Sequence, residues 1–307
     1  MDLSVFILTK DRYENLVAAI KSVQCQSIQP KEIVIVDNGS IDGTPENIIE
    51  EFPKINFKLI KLHKNFGIVT GRNIGIKNCA GDIIFFFDDD AELINKKTFS
   101  IVSDLFDNEK DVGIVTLNIV DLDNKLKYNT IEKIIETSSF SGGVSFIRKN
   151  LFDQIGMFDD KFYNYAEEND FSIRVLTLDY KIVALPEIKI LHKVNQKRIN
   201  NRNRYYSFRN KIIILFRYFP IIYILIESSW IFFGNLINSF KNGWTFLFII
   251  ALYEIIFKID VNRSVIKGNH LIKYLKLKKE PYNKVDCNFA ERIKGKMIDI
   301  LLKIYDK

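Results

Sequence analysis

The chain has 307 residues, with 44 Lys and Arg against 38 Asp and Glu, and carries a formal net charge of +6. Hydrophobic residues make up 47% of it, enough for one sizeable α/β core with about a hundred residues to spare; disordered, collagen-like and disulfide-rich classes are excluded. Its three cysteines include no CxxC pair, which argues against a disulfide framework or a structural zinc site and fits a reducing compartment.

The charge is distributed unevenly. Residues 193–307 carry 22 Lys and Arg and 8 Asp and Glu, a net +14, whereas residues 1–192 carry a net −8. A basic, aromatic tail behind an acidic domain suits an anionic membrane surface or nucleic acid. Because long apolar runs interrupt the positive charge, we favour a membrane surface and expect no nucleic-acid partner.

The first half of the chain alternates strand-like and helix-like segments. The predicted strands are Leu3–Leu8, Glu32–Val36, Phe57–Leu62, Asp82–Phe87 and Val112–Leu117, and the predicted helices are Tyr13–Cys25, Thr44–Phe52, Thr70–Cys79 and Lys96–Phe106. This pattern predicts βαβ units and a mainly parallel sheet, in which ligands bind beyond the carboxyl ends of the strands. Because the first strand begins at residue 3, we expect no secretory signal.

Polar and glycine residues follow the second and third predicted strands. Asp37 ends a buried strand and can accept a hydrogen bond from a nucleobase, and Gly39 permits a tight turn. After Asn65, Gly71 allows close backbone approach at a helix start, and Arg72 can hold either a phosphate or an acidic neighbour. Ordinary βα loops and a packing role for Gly71 are the alternative interpretations.

Three carboxylates, Asp88, Asp89 and Asp90, follow the fourth predicted strand. Like charges so close repel one another, and a hard divalent cation such as Mg²⁺ or Mn²⁺ relieves that repulsion. Asp88 and Asp90 point the same way on an extended backbone, so these two can face one metal–diphosphate unit. The alternative is a solvated acidic turn that caps the next helix.

The middle of the chain holds a second acidic cluster. A predicted strand, Ser141–Arg148, precedes a predicted helix, Ala166–Leu178, whose first turn contains Glu167, Glu168 and Asp170. Acidic residues there are favoured by the helix dipole alone, but one of them can also serve as a general base. Glu168 and Asp170 lie on different faces of the helix, so we expect only one to reach an acceptor.

Two short predicted strands, Lys181–Ala184 and Glu187–Leu191, lead to His192. A lone histidine is more often structural than a ligand, but an imidazole beside an acidic triplet can complete a metal shell. The tail then has a basic stretch, Lys193–Lys211, and two apolar segments, Ile212–Leu236 and Trp244–Ile259. Charges interrupt both segments and Pro220 also interrupts the first, so we predict helices lying in a membrane interface. A packed helical hairpin, a dimer contact and true membrane spans are the alternatives.

Together these motifs resemble the family 2 glycosyltransferases, which have the GT-A fold. The resemblance covers roughly residues 3–195 and runs through Val5–Arg12, Glu32–Ser40, Gly71–Asn73, Asp88–Asp90 and Glu167–Arg174, the last like the rhamnosyl- and galactofuranosyltransferase branch. The chain departs from the family in having Glu167-Glu168 where Asp-Asp or Glu-Asp is frequent, and Thr9-Lys10-Asp11 where Thr-Tyr-Asn is usual.

The resemblance implies roles for individual residues. Glu168 would be the catalytic base, with Glu167 or Asp170 as alternatives, and Asp37 would bind the nucleobase. The metal ligands would be Asp88, Asp90 and His192, holding Mn²⁺ or Mg²⁺. The implied donor-binding residues are Thr9, Asp11, Arg12, Asp37, Asn38, Gly39, Asn65, Gly71, Arg72, Asp88 and Asp89.

The function we predict is inverting transfer of a sugar from a nucleoside-diphosphate sugar, with UDP or dTDP favoured, to a hydroxyl of a glycan or lipid-linked acceptor. Such an enzyme would act in cell-surface polysaccharide synthesis, at the cytoplasmic face of the membrane. We expect a GT-A catalytic domain over residues 1–204, with a nucleotide-sugar half (1–117) and an acceptor half (118–204), then a helical, membrane-associating region over 205–307. A non-catalytic sugar-binding relative and, less favoured, a sugar nucleotidyltransferase remain alternatives, and the oligomeric state is left open.

Overall fold

The computed structural model describes residues 1–55, 57–120, 134–193, 200–258, 262–279 and 289–305. Within these residues the strands are β1 (Leu3–Thr9), β2 (Glu32–Asp37), β3 (Phe57–Lys61), β4 (Ile83–Asp88), β5 (Ala91–Leu93), β6 (Val112–Val120), β7 (Ile135–Glu136), β8 (Val144–Arg148) and β9 (Lys181–His192). They form one sheet in the order β3-β2-β1-β4-β8-β6-β9-β5, with β7 paired to β9.

The helices that surround this sheet are α1 (Tyr13–Gln24), α2 (Thr44–Glu51), α3 (Ile68–Asn78), α4 (Thr98–Asn108), α5 (Asn150–Ile155) and α6 (Glu167–Leu176), and a short 3₁₀ helix spans Asp160–Phe162. The sheet has a core on each face. Phe85 and Phe87 of β4 face the core that α1 and α4 cover, whereas Phe86 faces the other core. Burial on both faces explains why β4 is an unbroken apolar run rather than an alternating one.

Parallel pairing places the predicted loops at one edge of the sheet. The pairs β1–β2, β1–β4 and β2–β3 are parallel, and their registers set Thr9 beside Asp37 and Leu8 beside Asp88. Beyond β4 the sheet is mixed, because β8 runs antiparallel to both β4 and β6. The polar residues after β1, β2 and β4 therefore meet, as the βαβ pattern predicts.

Two predicted strands proved to be one. β9 runs without a break from Lys181 to His192, and its pairing with β6 shifts register between Leu117 and Asn118. The Asn118 side chain donates a hydrogen bond of 2.9 Å to the carbonyl of Pro186, which lies between the two predicted strands. A proline is tolerated at such an irregularity, because a ladder hydrogen bond is already missing there.

The tail is helical, with α7 (Asn201–Tyr218), α8 (Ile221–Asn242), α9 (Thr245–Phe257), α10 (Gly268–Lys279) and α11 (Phe289–Tyr305). Pro220 separates α7 from α8, so the predicted apolar segment Ile212–Leu236 belongs to two helices. In the described part of the chain α8 alone, with 22 residues and a mean hydropathy of 1.4, is long and apolar enough to cross a membrane. Residues 194–199 and 259–261, which fall in predicted segments, lie outside the described residues. The domain boundary after residue 204 remains a prediction, and α7 runs across it.

Candidate active site

A cleft of about 540 Å³ opens at the carboxyl edge of the sheet. Its floor is formed by the ends of β1 and β4, and its walls by the loop before α3, the Ser141–Gly143 turn before β8 and the segment that enters α6. Most of the predicted site residues are found here. The predicted residues that line the cleft are Thr9, Arg12, Asn38, Asn65, Arg72, Asp88, Asp89, Asp90, Glu167 and Glu168.

Asp88, Asp90 and His192 form a group in which one ligand atom from each residue lies within 4.8 Å of the others. Strand pairing explains the arrangement, because β5 follows the triplet and pairs with β9 so that Ala91 lies opposite His192. The His192 Nε2 atom is 3.3 Å from Asp88 Oδ2 and 3.2 Å from Asp90 Oδ1. Two carboxylates and one imidazole are a donor set that divalent cations accept, so the group can bind a metal.

Charge around this group fits a cation. Burial lowers the pKa of His192, but its hydrogen bonds to Asp88 and Asp90 outweigh burial and raise the pKa to about 9. The raised pKa favours a protonated imidazole at neutral pH, whose positive charge offsets the negative charge of the two carboxylates. A bound cation would displace that proton, because only the neutral imidazole is a ligand.

Asp89 is placed differently from its neighbours in the triplet. Its side chain turns inward, where Thr9 Oγ1 donates a hydrogen bond of 2.9 Å and Arg12 Nη1 lies 2.8 Å away. Burial raises the pKa of Asp89 to about 6, although the charge of Arg12 acts in the opposite direction. Thr9 at the end of β1 and Arg12 just before α1, both predicted to bind the donor, thus contact Asp89. Arg12 also contacts Asp90 at 3.2 Å.

Two glutamates at the start of α6, Glu167 and Glu168, line the cleft and both contact Arg72. Arg72 Nη1 lies 2.6 Å from Glu167 Oε1 and 3.0 Å from Glu168 Oε1. The sequence allowed either a phosphate or an acidic neighbour for Arg72, and both of these contacts are with acidic neighbours. The Glu167 side chain is 2% exposed and the Glu168 side chain 21% exposed. Burial and the neighbouring charge of Glu168 raise the pKa of Glu167 to about 8. Glu168 is thus the more accessible carboxylate of the pair.

Replacing Glu167 by glutamine should stabilise the protein at alkaline pH. The folded-state pKa of about 8 lies above the ordinary value of 4.5, so the stability that Glu167 contributes is complete below pH 4.5 and is lost as pH rises through 8. Glutamine mimics the neutral form and escapes that loss. We expect equal melting temperatures at pH 4 and a higher one for Glu167→Gln at pH 9, measured by calorimetry. A variant that is less stable than the wild type at pH 9 would contradict the raised pKa of Glu167.

Asp170, the other alternative base, lies away from the cleft. Its carboxylate accepts hydrogen bonds of 2.8 Å from both Arg217 and Tyr218 of α7 and one of 3.0 Å from Arg174. The Asp170 side chain is 1% exposed. Its contacts are those of a buried residue that joins α6 to α7.

The loop after β2 is held by its own side chains. The Asp37 carboxylate accepts hydrogen bonds from the backbone and hydroxyl of Ser40, and Asp37 does not line the cleft. Asn38 bridges to the loop before α3, donating to the Gly67 carbonyl at 3.1 Å and accepting from the Phe66 amide at 2.9 Å. The turn needs glycine at position 39, because φ is +79° and a Cβ would lie 2.6 Å from the Lys64 backbone.

Three further predicted donor residues have local structural contacts. The Asp11 carboxylate accepts from the Ile41 amide at 2.7 Å, and Asn65 Oδ1 accepts from the Gly67 amide at 2.8 Å. A Cβ at Gly71 would lie 2.5 Å from Leu8, which is the packing role left open for this residue. Asp11 and Gly71 do not line the cleft.

The most informative residues that the sequence motifs did not single out are Gly142 and Gly143. A Cβ at Gly143 would lie 1.9 Å from Asp88 Oδ2, and a Cβ at Gly142 would lie 2.2 Å from Glu168 Oε1. Two successive glycines therefore lie against the candidate base and the candidate metal group, so the base and the metal group face the same space. A Gly-Gly pair directly before a strand was the available signal, because glycine marks places where other groups approach the backbone closely.

The comparisons with known proteins agree on one family. The family model described as Glycosyl transferase family 2 matches residues 4–159. The uncharacterized glycosyltransferase YwdF of Bacillus subtilis is 28% identical over 206 residues, which cover 62% of this chain and 74% of YwdF. The dTDP-rhamnosyl transferase RfbF of Shigella flexneri is 25% identical over 240 residues, which cover 69% of this chain and 79% of RfbF.

Solved structures share the fold at low sequence identity. TarS of S. aureus (residues 1–349), solved with UDP-GlcNAc, superposes with a TM-score of 0.62 at 19% identity, covering 100% of this chain and 91% of the TarS chain. The mannosyltransferase PcManGT of Pyrobaculum calidifontis, solved with GDP-Man and Mn²⁺, gives 0.57 at 16% identity, covering 99% and 87%. At such identities the likeness shows a common fold.

Proposed function

The chain belongs to glycosyl transferase family 2, and from this membership we propose that it transfers a sugar from a UDP- or dTDP-sugar to a hydroxyl of a lipid-linked glycan, with inversion at the anomeric carbon. The predicted family and GT-A fold are confirmed, and the protein is a nucleotide-sugar glycosyltransferase. The observation that carries the proposal is the pair Gly142-Gly143, whose successive residues touch the base candidate and the metal group.

Asp88, Asp90 and His192 would hold the metal ion, which we propose to be Mn²⁺ or Mg²⁺. A divalent cation bound there would neutralise charge on the diphosphate of the donor. PcManGT and another solved neighbour, GalNAc-T7, were both solved with Mn²⁺. Around the ligands, Arg12 holds Asp90 and Asp89 from one side, so the carboxylates keep their positions before the donor arrives.

Glu168 is the residue we propose as the general base. It lines the cleft and is more exposed than Glu167 or Asp170. In the proposed step the Glu168 carboxylate accepts the proton of the acceptor hydroxyl, whose oxygen forms a bond to the anomeric carbon. The bond from that carbon to the diphosphate oxygen breaks at the same time, and the nucleoside diphosphate leaves with its electron pair. A single displacement of this kind inverts the configuration.

The choice of UDP or dTDP is supported by the comparisons. RfbF is named as a dTDP-rhamnosyl transferase, and TarS was solved with UDP-GlcNAc. A further relative, from Campylobacter jejuni, is named for a glucosyl transfer to an undecaprenol-linked saccharide and is 33% identical over 96 residues, which cover 30% of this chain and 31% of that relative. These names support a lipid-linked acceptor.

The helical tail supports a membrane site for this acceptor. In the hairpin of α8 and α9 one side is apolar and exposed, and its most exposed large side chains are Ile221, Leu225, Phe233, Phe240, Phe246, Ile256 and Phe257. The opposite side packs on α7, where Phe208 meets Phe248 at 4.8 Å and Arg209 pairs with Glu254 at 3.1 Å. Because one side of the hairpin packs on α7 with an ion pair and the other side is apolar and exposed, we propose that the hairpin lies in the interface with its outer side in lipid.

Charging the outer side of the hairpin should detach the protein from membranes. Burial of one Phe contributes roughly 1.5–3 kcal/mol, so the double variant Phe233→Glu/Phe246→Glu should bind vesicles containing anionic lipid more than about tenfold more weakly. Ile41→Glu, at a position 92% exposed in the catalytic domain, is the matched control. Cosedimentation measures both. Undiminished binding of the double variant would contradict the interfacial hairpin.

The proposed function is tested by incubating the chain with a panel of nucleotide sugars, Mn²⁺ or Mg²⁺ and an undecaprenyl-diphosphate saccharide. We expect a metal-dependent product with a UDP- or dTDP-sugar, and proton NMR of the product should show inverted anomeric configuration. Binding of a nucleotide sugar without turnover would favour the non-catalytic alternative. A product with retained configuration would overturn the single displacement.

A further inference from the structure

The segment that carries the candidate base into the cleft has an unusual backbone. Three non-glycine residues within four positions have positive φ: Tyr163 at 55°, Tyr165 at 66° and Ala166 at 69°. Side chains with a Cβ populate this region sparsely and remain there only where the surroundings over-determine the backbone. Helix α6 begins immediately afterwards at Glu167, so the conformation of Tyr163–Ala166 sets where Glu168 points.

The surroundings that hold this segment come from α7. Asn210 is completely buried, and its Nδ2 donates to the carbonyls of Phe162 at 3.0 Å, Asn164 at 2.8 Å and Tyr165 at 2.8 Å. Arg209 Nη1 donates to Asn210 Oδ1 at 2.7 Å and thereby fixes which way the amide points. The amide has two N–H groups, so one of them is shared between two of these three carbonyls, and a single side chain thus bonds three successive parts of the segment.

We infer that Asn210 is a positioning residue for the transfer reaction: its amide holds the segment Tyr163–Ala166, with its three positive-φ residues, in the conformation that presents Glu168 to the acceptor. Asn210 does not line the cleft and lies outside the residues that the family model matches. Its helix also packs on the α8–α9 hairpin through Phe208 and Arg209. Helix α7 therefore contacts both the α8–α9 hairpin and the segment that precedes the candidate base.

The test compares Asn210→Ala and Asn210→Ser with the wild type. Misplacement of a catalytic group by about 1 Å costs roughly 100-fold, so we expect kcat to fall by roughly 10- to 100-fold in Asn210→Ala and less in Asn210→Ser, whose hydroxyl keeps one donor. The KM for the nucleotide sugar should change much less than kcat, because the proposed metal ligands Asp88, Asp90 and His192 lie at strand ends outside this segment. Asn235→Ala is the matched control, since Asn235 on α8 bonds only the Ile231 carbonyl of its own helix among the contacts seen.

A second substitution separates positioning from general destabilisation. Glycine adopts positive φ without steric cost, so Ala166→Gly should recover several-fold of the kcat lost in either Asn210 variant. If the Asn210 variants lose donor affinity in proportion to kcat, or if Ala166→Gly recovers nothing, the inference is overturned.

The inference rests on the proposed function only for its kcat readout. Hydrogen exchange of the 162–170 peptide should be faster in the Asn210 variants than in wild type or Asn235→Ala, whether or not turnover is measurable. A wild-type chain that turns over no donor overturns the proposed function, whereas unchanged exchange in this peptide overturns the positioning role of Asn210. The two failures are therefore distinguishable.

Discussion

Replacing Glu168 by glutamine should reduce kcat by roughly 10²- to 10⁴-fold, the range that general-base catalysis contributes. The amide has nearly the same shape but cannot accept the proton of the acceptor hydroxyl. Because Glu168 is not one of the three candidate metal ligands, binding of the nucleotide sugar should persist. Turnover with a saturating acceptor, together with calorimetric titration of the donor, measures the two effects separately.

The matched control for this prediction is Glu167→Gln, the same change one residue earlier. The Glu167 side chain is 2% exposed and has a pKa raised to about 8, so it is poorly placed to accept a proton from the acceptor at neutral pH. We expect Glu167→Gln to lose much less activity than Glu168→Gln. The opposite order would assign the base to Glu167, and full activity of both variants would remove the pair from the mechanism.

Replacing Asp90 by asparagine should abolish metal-dependent donor binding. The side chain is 2% exposed and lies 3.2 Å from both His192 and Arg12, so the change removes a negative charge from the centre of the group without altering its shape. Changes that only support a metal ligand already cost 10- to 100-fold in metal affinity, and loss of a ligand should cost at least about 100-fold. The thermal shift caused by Mn²⁺ with a nucleotide sugar reports the loss, since ligand binding stabilises the folded state.

The matched control is Asp89→Asn, in the same triplet. Asp89 is held by Thr9 and Arg12 and is not one of the three candidate ligands, so this change should leave the metal-dependent shift in place. If Asp90→Asn keeps the shift of the wild type, Asp88, Asp90 and His192 are not the metal site. If Asp89→Asn alone loses the shift, the inward residue of the triplet is the ligand.

The central part of the fold could be predicted from local pattern. Apolar runs of strand length, separated by amphipathic helices, imply parallel strands, and parallel strands end at one edge. That argument placed the loops after β1, β2 and β4 together without knowledge of any contact. His192 lies at the end of a strand, as predicted. Only the pairing of β5 with β9 set it beside Asp88 and Asp90.

Which partner each charged side chain takes could not be read from the sequence. Arg72 suited a phosphate or a carboxylate equally, and it meets Glu167 and Glu168, which are 95 and 96 residues away along the chain. Asp170 had the same helical-turn context as Glu168, yet it is bound by Arg217 and Tyr218 of the tail. The predicted roles of Asp37 and Asp11 in donor binding remain predictions.

The sequence by itself determined the family, the parallel core of the sheet and the edge at which the chemistry gathers, because these depend on periodicity and on short motifs. Only the tertiary structure decided that β9 continues through Pro186, that Gly142 and Gly143 lie against Glu168 and Asp88, and that Asn210 holds the segment before α6. The physical reason is that such contacts join residues far apart in the chain. Their free energy depends on burial and geometry that exist only once the elements have packed.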